Sequence, residues 1–151
     1  MSYVTVENGL MTLLRTVSGY TAVNTSIGDW RILGKGIDKA LVLNPGSIPE
    51  RNVTASPRRI RNLWVIEVDL LVAFQKDLSE AAGNIRTERQ AIMDKIDQYP
   101  TLNQVSGVIN AFITGASAPD IFVPRGGSRR WWVETLICEV EERVNTTIAE
   151  A

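Results

Sequence analysis

The residue types used most often for nucleophilic catalysis and metal binding are scarce in this sequence, which has one cysteine, Cys138, and no histidine. A Ser-His-Asp triad, a Cys-His dyad and a histidine metal ligand all require histidine, so the sequence excludes them. Gly34-Lys35-Gly36 has neither the spacing nor the strand-to-helix context of a phosphate-binding loop. We therefore expect a protein without catalytic activity, metal or cofactor, which acts by binding other protein subunits.

Two close carboxylate pairs are the remaining candidates for chemistry, Glu67 with Asp69 and Glu141 with Glu142. Such pairs can act in acid–base catalysis or hold a cation. The simpler interpretation is that they lie on the solvated face of a strand, because charged side chains are seldom fully buried.

Arginines concentrate in two segments that we interpret as loops or loop ends. The whole chain has a formal net charge of -1, which does not favour nucleic acid as its main partner. Basic loops of one subunit can instead face an acidic surface of its neighbour, such as the exposed side of a predicted helix over 79–98. We predict subunit or partner contacts for Arg58, Arg59, Arg61, Arg125, Arg129 and Arg130.

Trp131 and Trp132 must point to opposite sides of a strand, because successive side chains alternate between its two faces. Trp132 is in phase with the apolar residues Leu136 and Cys138, which predicts core positions for all three. Trp131 then points to the other face. There it either contacts a partner protein or covers a local apolar patch.

Length and composition indicate one globular domain over residues 1–151, with a frayed tail over about 145–151. The N-terminus lacks the basic start and apolar stretch of a signal peptide, and we find no apolar run of the roughly 20 residues that a membrane helix needs. The single cysteine suggests a reducing compartment. We expect the cytoplasm, or a particle assembled there, and no membrane partner.

Two helices are predicted from apolar side chains at helical spacing. The first covers about 5–18, with Thr5 as its cap and Leu10 and Leu14 on its apolar stripe. The second covers 79–98 and buries Ile92 and Ile96, and Pro100 ends it.

Two long strands are predicted from period-two alternation, over 60–74 and over 131 to about 144. Shorter candidates lie at 30–33, 40–43 and 108–114, while 44–58 and 115–130 are interpreted as loops. Part of the first long strand is expected to project as an arm, because about 15 residues is long for a strand. The order of elements predicts an α+β fold, a mostly antiparallel sheet with two helices on one face.

The order of these features resembles the tail terminator (tail completion) proteins of long-tailed bacteriophages. The resemblance rests on four features, of which the first two are the N-terminal helix and the strand Leu63-Trp64-Val65-Ile66-Glu67-Val68 that leads into helix 79–98. The other two are the helix exit Tyr99-Pro100-Thr101-Leu102, followed by Gly107-Val108, and the closing strand 130–142. It spans most of the chain as a pattern rather than as one specific motif, and it does not constrain 44–58 or 115–128.

This resemblance implies a homo-oligomeric ring, usually of six subunits, at the head-proximal end of the tail of a virion. Such a ring ends polymerisation of the tail tube and joins the tube protein to the neck proteins, with DNA only as passing cargo. Glu67, Asp69, Glu139 and Glu141 would then line its channel, although a simple wet sheet face also accounts for them. Two other functions stay open, a nucleic-acid-binding accessory protein that uses the arginines, and another ring of the same particle, either head-closure or tail-tube.

Overall fold

A computed structural model describes residues 3–17, 20, 22–24, 39–44, 46–55, 58–74, 78–122 and 130–145. Within these residues the chain forms two helices and seven strands, which we number in chain order. They are α1 (Tyr3–Leu14), β1 (Ala22–Asn24), β2 (Lys39–Leu43), β3 (Ser47–Ala55), β4 (Arg58–Phe74), α2 (Leu78–Gln98), β5 (Val108–Ala116), β6 (Asp120–Phe122) and β7 (Arg130–Asn145).

The strands form one sheet in the order β1-β2-β4-β7-β5. Strands β4 and β7 pair antiparallel over their whole length, from Arg59 opposite Asn145 to Phe74 opposite Arg130. The other edge of β4 pairs first with β3 and then with β2, and the other edge of β7 pairs with β6 and then with β5. Among the described strands, only the short β1–β2 pair is parallel. The predicted α+β fold is therefore correct, and β4 and β7 are its central strands.

The main core lies between the sheet and both helices, as the apolar phase of the two long strands predicts. Side chains from β4 and β7 pack in one cluster with side chains from both helices. The members predicted from the sequence are all buried there: Trp64, Ile66, Val68, Leu70, Leu136, Cys138, Val140, Leu10, Leu14, Ile92 and Ile96. Trp132 is partly buried against the same cluster. Two helices on one face of the sheet are thus confirmed.

A second, smaller apolar cluster occupies the opposite face of the sheet near β2. Ala40, Val42, Leu71 and Trp131 are buried in it. Phe122 of β6 lies against this cluster, directly opposite Trp131 in the strand register. The far face is therefore not solvated along its whole length, and one end of it contains its own core.

Several predicted boundaries differ from the structure. Residues 47–55 form strand β3 rather than a loop, and residues 120–122 of the second predicted loop form β6. Both were missed because strands paired at the flanks of longer ones need no apolar alternation of their own. Helix α1 begins at Tyr3, so Thr5 does not cap it, and α2 begins at Leu78. The strand candidate at 30–33 and the residues 146–151 lie outside the described residues.

Among the described residues, neither helix is long and apolar enough to cross a membrane.

Candidate subunit interface

The sheet face away from the helices carries all four carboxylates that the sequence singled out. Paired residues of neighbouring antiparallel strands share a face. The register places Glu67 opposite Ile137 and Asp69 opposite Thr135, while Glu139 lies opposite Val65 and Glu141 opposite Leu63. Glu67 is exposed and Glu139 is half-buried.

Two of these carboxylates are held in local contacts and do not face open solvent. Asp69 is buried, and it accepts hydrogen bonds from Asn44 Nδ2 at 3.1 Å and from Thr135 Oγ1 at 2.6 Å. Glu141 Oε1 accepts a hydrogen bond from Arg61 Nε at 2.6 Å. Asp69 and Glu141 therefore have partners within the chain, whereas the structure shows no ion pair for Glu67 or Glu139 among the described residues.

The same sheet face becomes basic where β4 and β7 extend alongside β3. Arg59 and Arg61 point to this face, and Arg143 lies directly opposite Arg61. Arg61 also contacts Glu50 at 3.3 Å, and the hydrogen bond to Glu141 raises the pKa of its guanidinium. Arg59 and Arg143 are exposed, and the structure shows no ion pair for either within the described residues. We call Arg59, Arg61 and Arg143 the arginine face.

Arg143 was missed by the sequence reasoning, although it is in phase with Glu139 and Glu141. Like charges directly opposite each other on neighbouring strands are unfavourable. The cost of placing Arg143 against Arg61 is reduced by Glu141 and Glu50, which both contact Arg61.

Strand β3 is exposed at every position from 47 to 54, where it pairs with the first half of β4. That half of β4 does not project as the predicted arm, because its other edge pairs with β7. Ile48 and Val53 are 41% and 46% exposed on β3. The pairing with β4 is irregular between Ser47 and Glu50, on either side of Pro49, which cannot donate a ladder hydrogen bond. An exposed, partly apolar hairpin of this kind is a suitable surface for contact with another protein.

Trp131 is not available for the predicted partner contact. Its side chain is 1% exposed and lies in the second apolar cluster. The sequence placed it on the correct face, and of the two roles left open, it takes that of covering a local apolar patch.

Arg130, the one described residue of the second arginine segment, lies far from the first segment in the strand register. Arg130 is exposed and pairs with Phe74, at the opposite end of the β4–β7 ladder from Arg59 and Arg61. Arg125 and Arg129 lie outside the described residues, as does the side chain of Arg58.

Two buried acidic side chains on the helix side of β7 were not foreseen. Glu142 is fully buried and not solvated, and its Oε1 accepts hydrogen bonds from Asn62 Nδ2 at 3.0 Å and from Trp64 Nε1 at 3.4 Å. Glu134 is also fully buried, and its Oε1 lies 2.9 Å from Arg89 Nη1 on α2. The sequence signal existed, since both residues are in phase with Leu136, Cys138 and Val140.

A further polar cluster ties α2 to the strands. Glu88 accepts hydrogen bonds at 2.7 Å from both Tyr20 Oη and Lys39 Nζ. Burial raises the pKa of Tyr20, and the contact with Glu88 raises it further. Together with the Arg89–Glu134 pair, this cluster fixes the rotation of α2 about its axis, so its outward side is well defined.

A turn of unusual backbone conformation links α2 to β5. Leu102, Asn103 and Gln104 have φ of 54°, 61° and 67°, a left-handed conformation that side chains disfavour. Val105 N donates to Thr101 O at 3.0 Å across this turn. The turn and α1 border a cavity of about 280 Å³, lined by Thr5, Asn8, Gly9, Thr12 and Leu13 of α1, by Thr16, and by Leu102, Asn103 and Val105.

The described residues contain no group of three or more Cys, Asp and Glu side chains placed to hold a metal ion. The Cys138 thiol lies in the core, and burial raises its pKa to about 12, so the reactive thiolate is absent at neutral pH. Comparison with models of known protein families and with curated proteins finds no match to this chain.

Proposed function

We propose that this chain is a structural tail protein of a bacteriophage, which forms a ring at the head-proximal end of the tail tube. The ring would end polymerisation of the tube and provide the surface to which the neck of the head joins. Its partners would be further copies of itself, the tube protein and a neck protein, and it would have no catalytic activity.

The observation that carries this proposal is the exposed strand β3 beside a charged sheet face. Strand β3 presents Ile48 and Val53 to solvent, and burying such side chains against another subunit is favourable by about 25 cal/mol per Å² of apolar surface. The choice of a ring at the end of the tail tube rests on the resemblance of the strand and helix order to tail terminator proteins. Arg58, Arg125, Arg129 and Arg130 remain proposed contacts to neighbouring subunits.

Glu67 and Glu139 supply the proposed channel surface. Both are on the face away from the helices, and the structure shows no ion pair for either in the described part of the chain. Fixed negative charge in a narrow channel repels phosphates, so duplex DNA would pass without adhering. Changing both residues to Lys should leave the ring intact and slow the release of DNA from the particle.

The test is electron microscopy of particles assembled without this protein. Tails of uncontrolled length that fail to join heads are expected, and the wild-type chain supplied in trans should restore both properties. Particles with normal tails joined to heads in its absence would refute the proposal. The double variant R129E/R130E provides a more specific test, because it should assemble poorly while the isolated chain remains folded.

The arginine face gives a second candidate function, a nucleic-acid-binding accessory protein. Arg59 and Arg143 could contact phosphates, and binding would then weaken steeply with salt, because each phosphate contact releases counterions. Duplex binding measured at two salt concentrations distinguishes this function from the ring.

A further inference from the structure

The arginine face has an excess of positive charge that the chain itself does not neutralise. Arg61 already has two carboxylate partners, Glu141 and Glu50. Arg59 and Arg143 have no such partner among the described residues, and the Arg143–Arg61 register is locally unfavourable. A partner outside the chain would offset this arrangement.

The C-terminal end of α2 carries an excess of the opposite sign. Asp94 and Asp97 are exposed and one turn apart, so they share a side of the helix. Their position near the helix C-terminus is unfavourable, because the macrodipole places partial negative charge there. Gln90 Nε2 donates to Asp94 Oδ1 at 2.8 Å, and the neighbouring Lys95 is half-buried with its Nζ 5.5 Å from the centre of the Tyr99 ring.

These two surfaces lie on opposite sides of the molecule. Helix α2 buries Ile92 and Ile96 against one face of the sheet, so Asp94 and Asp97 point outward on that side. The arginine face belongs to the other face of the sheet. The two patches of one molecule therefore cannot meet each other, whereas those of two copies can.

We propose that the arginine face of one copy binds the Asp94–Asp97 side of α2 in the next copy. The partner is a second copy of this chain, and the contact is head-to-tail, which closes into a ring when the rotation between copies permits. This inference rests on the proposed ring and names its contact surfaces. Duplex DNA is a less suitable occupant, because its long phosphate backbone would continue along the same sheet face to Glu139 and Glu67, which repel it, whereas the two aspartates need to contact only the arginines.

The test is a charge-swap experiment on the full chain, read by sedimentation velocity at low and high salt. The first variant is R59E/R143E and the second is D94K/D97K. Each alone should weaken self-association by about 100-fold, since like charges meeting at an interface are strongly unfavourable. An equal mixture of the two variants should recover assembly, as should one chain with all four changes, because each restores opposite charges at every contact.

Matched controls are R86E on the outward side of α2 and D120K on β6, both at exposed positions. They should assemble like the wild type. Circular dichroism should show native content in every variant, because the changed side chains are exposed and outside the core.

The outcomes separate this inference from the proposed function. If the wild type assembles and both double variants assemble equally well, the contact is wrong while the ring proposal survives. Loss of assembly in each variant without recovery in the mixture also overturns the contact. If the wild type stays monomeric and its arginine face binds duplex DNA with steep salt dependence, both proposals fail.

Discussion

Adding one methyl group to α1 should reveal how tightly this helix packs on the left-handed turn before β5. A Cβ added at Gly9 would lie 2.6 Å from Val105 Cγ2, whereas carbon atoms pack best at about 3.5–4.0 Å. Alanine gains about 1 kcal/mol over glycine inside a helix, but overpacking costs about 1–3 kcal/mol. G9A should therefore lower the free energy of unfolding by up to about 2 kcal/mol.

Removing the Val105 methyls should reverse the sign of this effect. The next nearest atom, Val105 Cβ, would be 3.6 Å from the added Cβ, an ordinary contact. In the V105A background, G9A should stabilise by about 1 kcal/mol, the helix gain alone. Urea denaturation of the four proteins measures the coupling. N8A, at an exposed position of the same helix, is the control and should have the same effect in both backgrounds. A G9A variant more stable than the wild type would refute this packing.

Three further predictions test the core. I66A should cost about 2–5 kcal/mol and lower the melting midpoint, because the side chain is fully buried between sheet and helices; an unchanged midpoint would show that the phase of β4 is wrong. R89M should cost about 3–5 kcal/mol by leaving the buried carboxylate of Glu134 without its cation, and R89M/E134L should recover most of this loss in urea denaturation. Iodoacetamide should label Cys138 at pH 8 only in the denatured chain. The folded thiol keeps its proton to about pH 12, whereas the thiol of the unfolded chain loses it from about pH 9. The free energy of unfolding should therefore fall as the pH rises from about 9 to about 12.

The two central strands could be predicted from the sequence because one face of each is almost wholly apolar. Ile66 and Val68 alternate with polar residues on β4, as Leu136 and Cys138 do on β7, and a one-residue error would have exposed all of them. This constraint also placed Trp132 against the main core and the four predicted carboxylates on one face.

What could not be predicted depends on residues that are distant in sequence. Trp131 is buried because β2 and β6 bring Ala40, Val42 and Phe122 to the far face of the sheet. Strand β3 shows no apolar alternation because all of its positions from 47 to 54 are exposed.

The two buried carboxylates also depend on residues that are distant in sequence. Glu134 and Glu142 occupy core positions because Arg89, on α2, and Asn62, on β4, supply hydrogen-bond donors to them. Period two alone marks these positions as inward, but only the folded chain shows that a charged group is tolerated there.

The mass and shape of the purified wild-type chain in solution test the proposed ring most directly. Light scattering should give a single oligomer, six times the monomer mass if the resemblance holds in detail. Electron micrographs of the same sample should show closed rings with a central opening. A monomer at every concentration, or open filaments without rings, would contradict the proposal that this chain assembles into a ring.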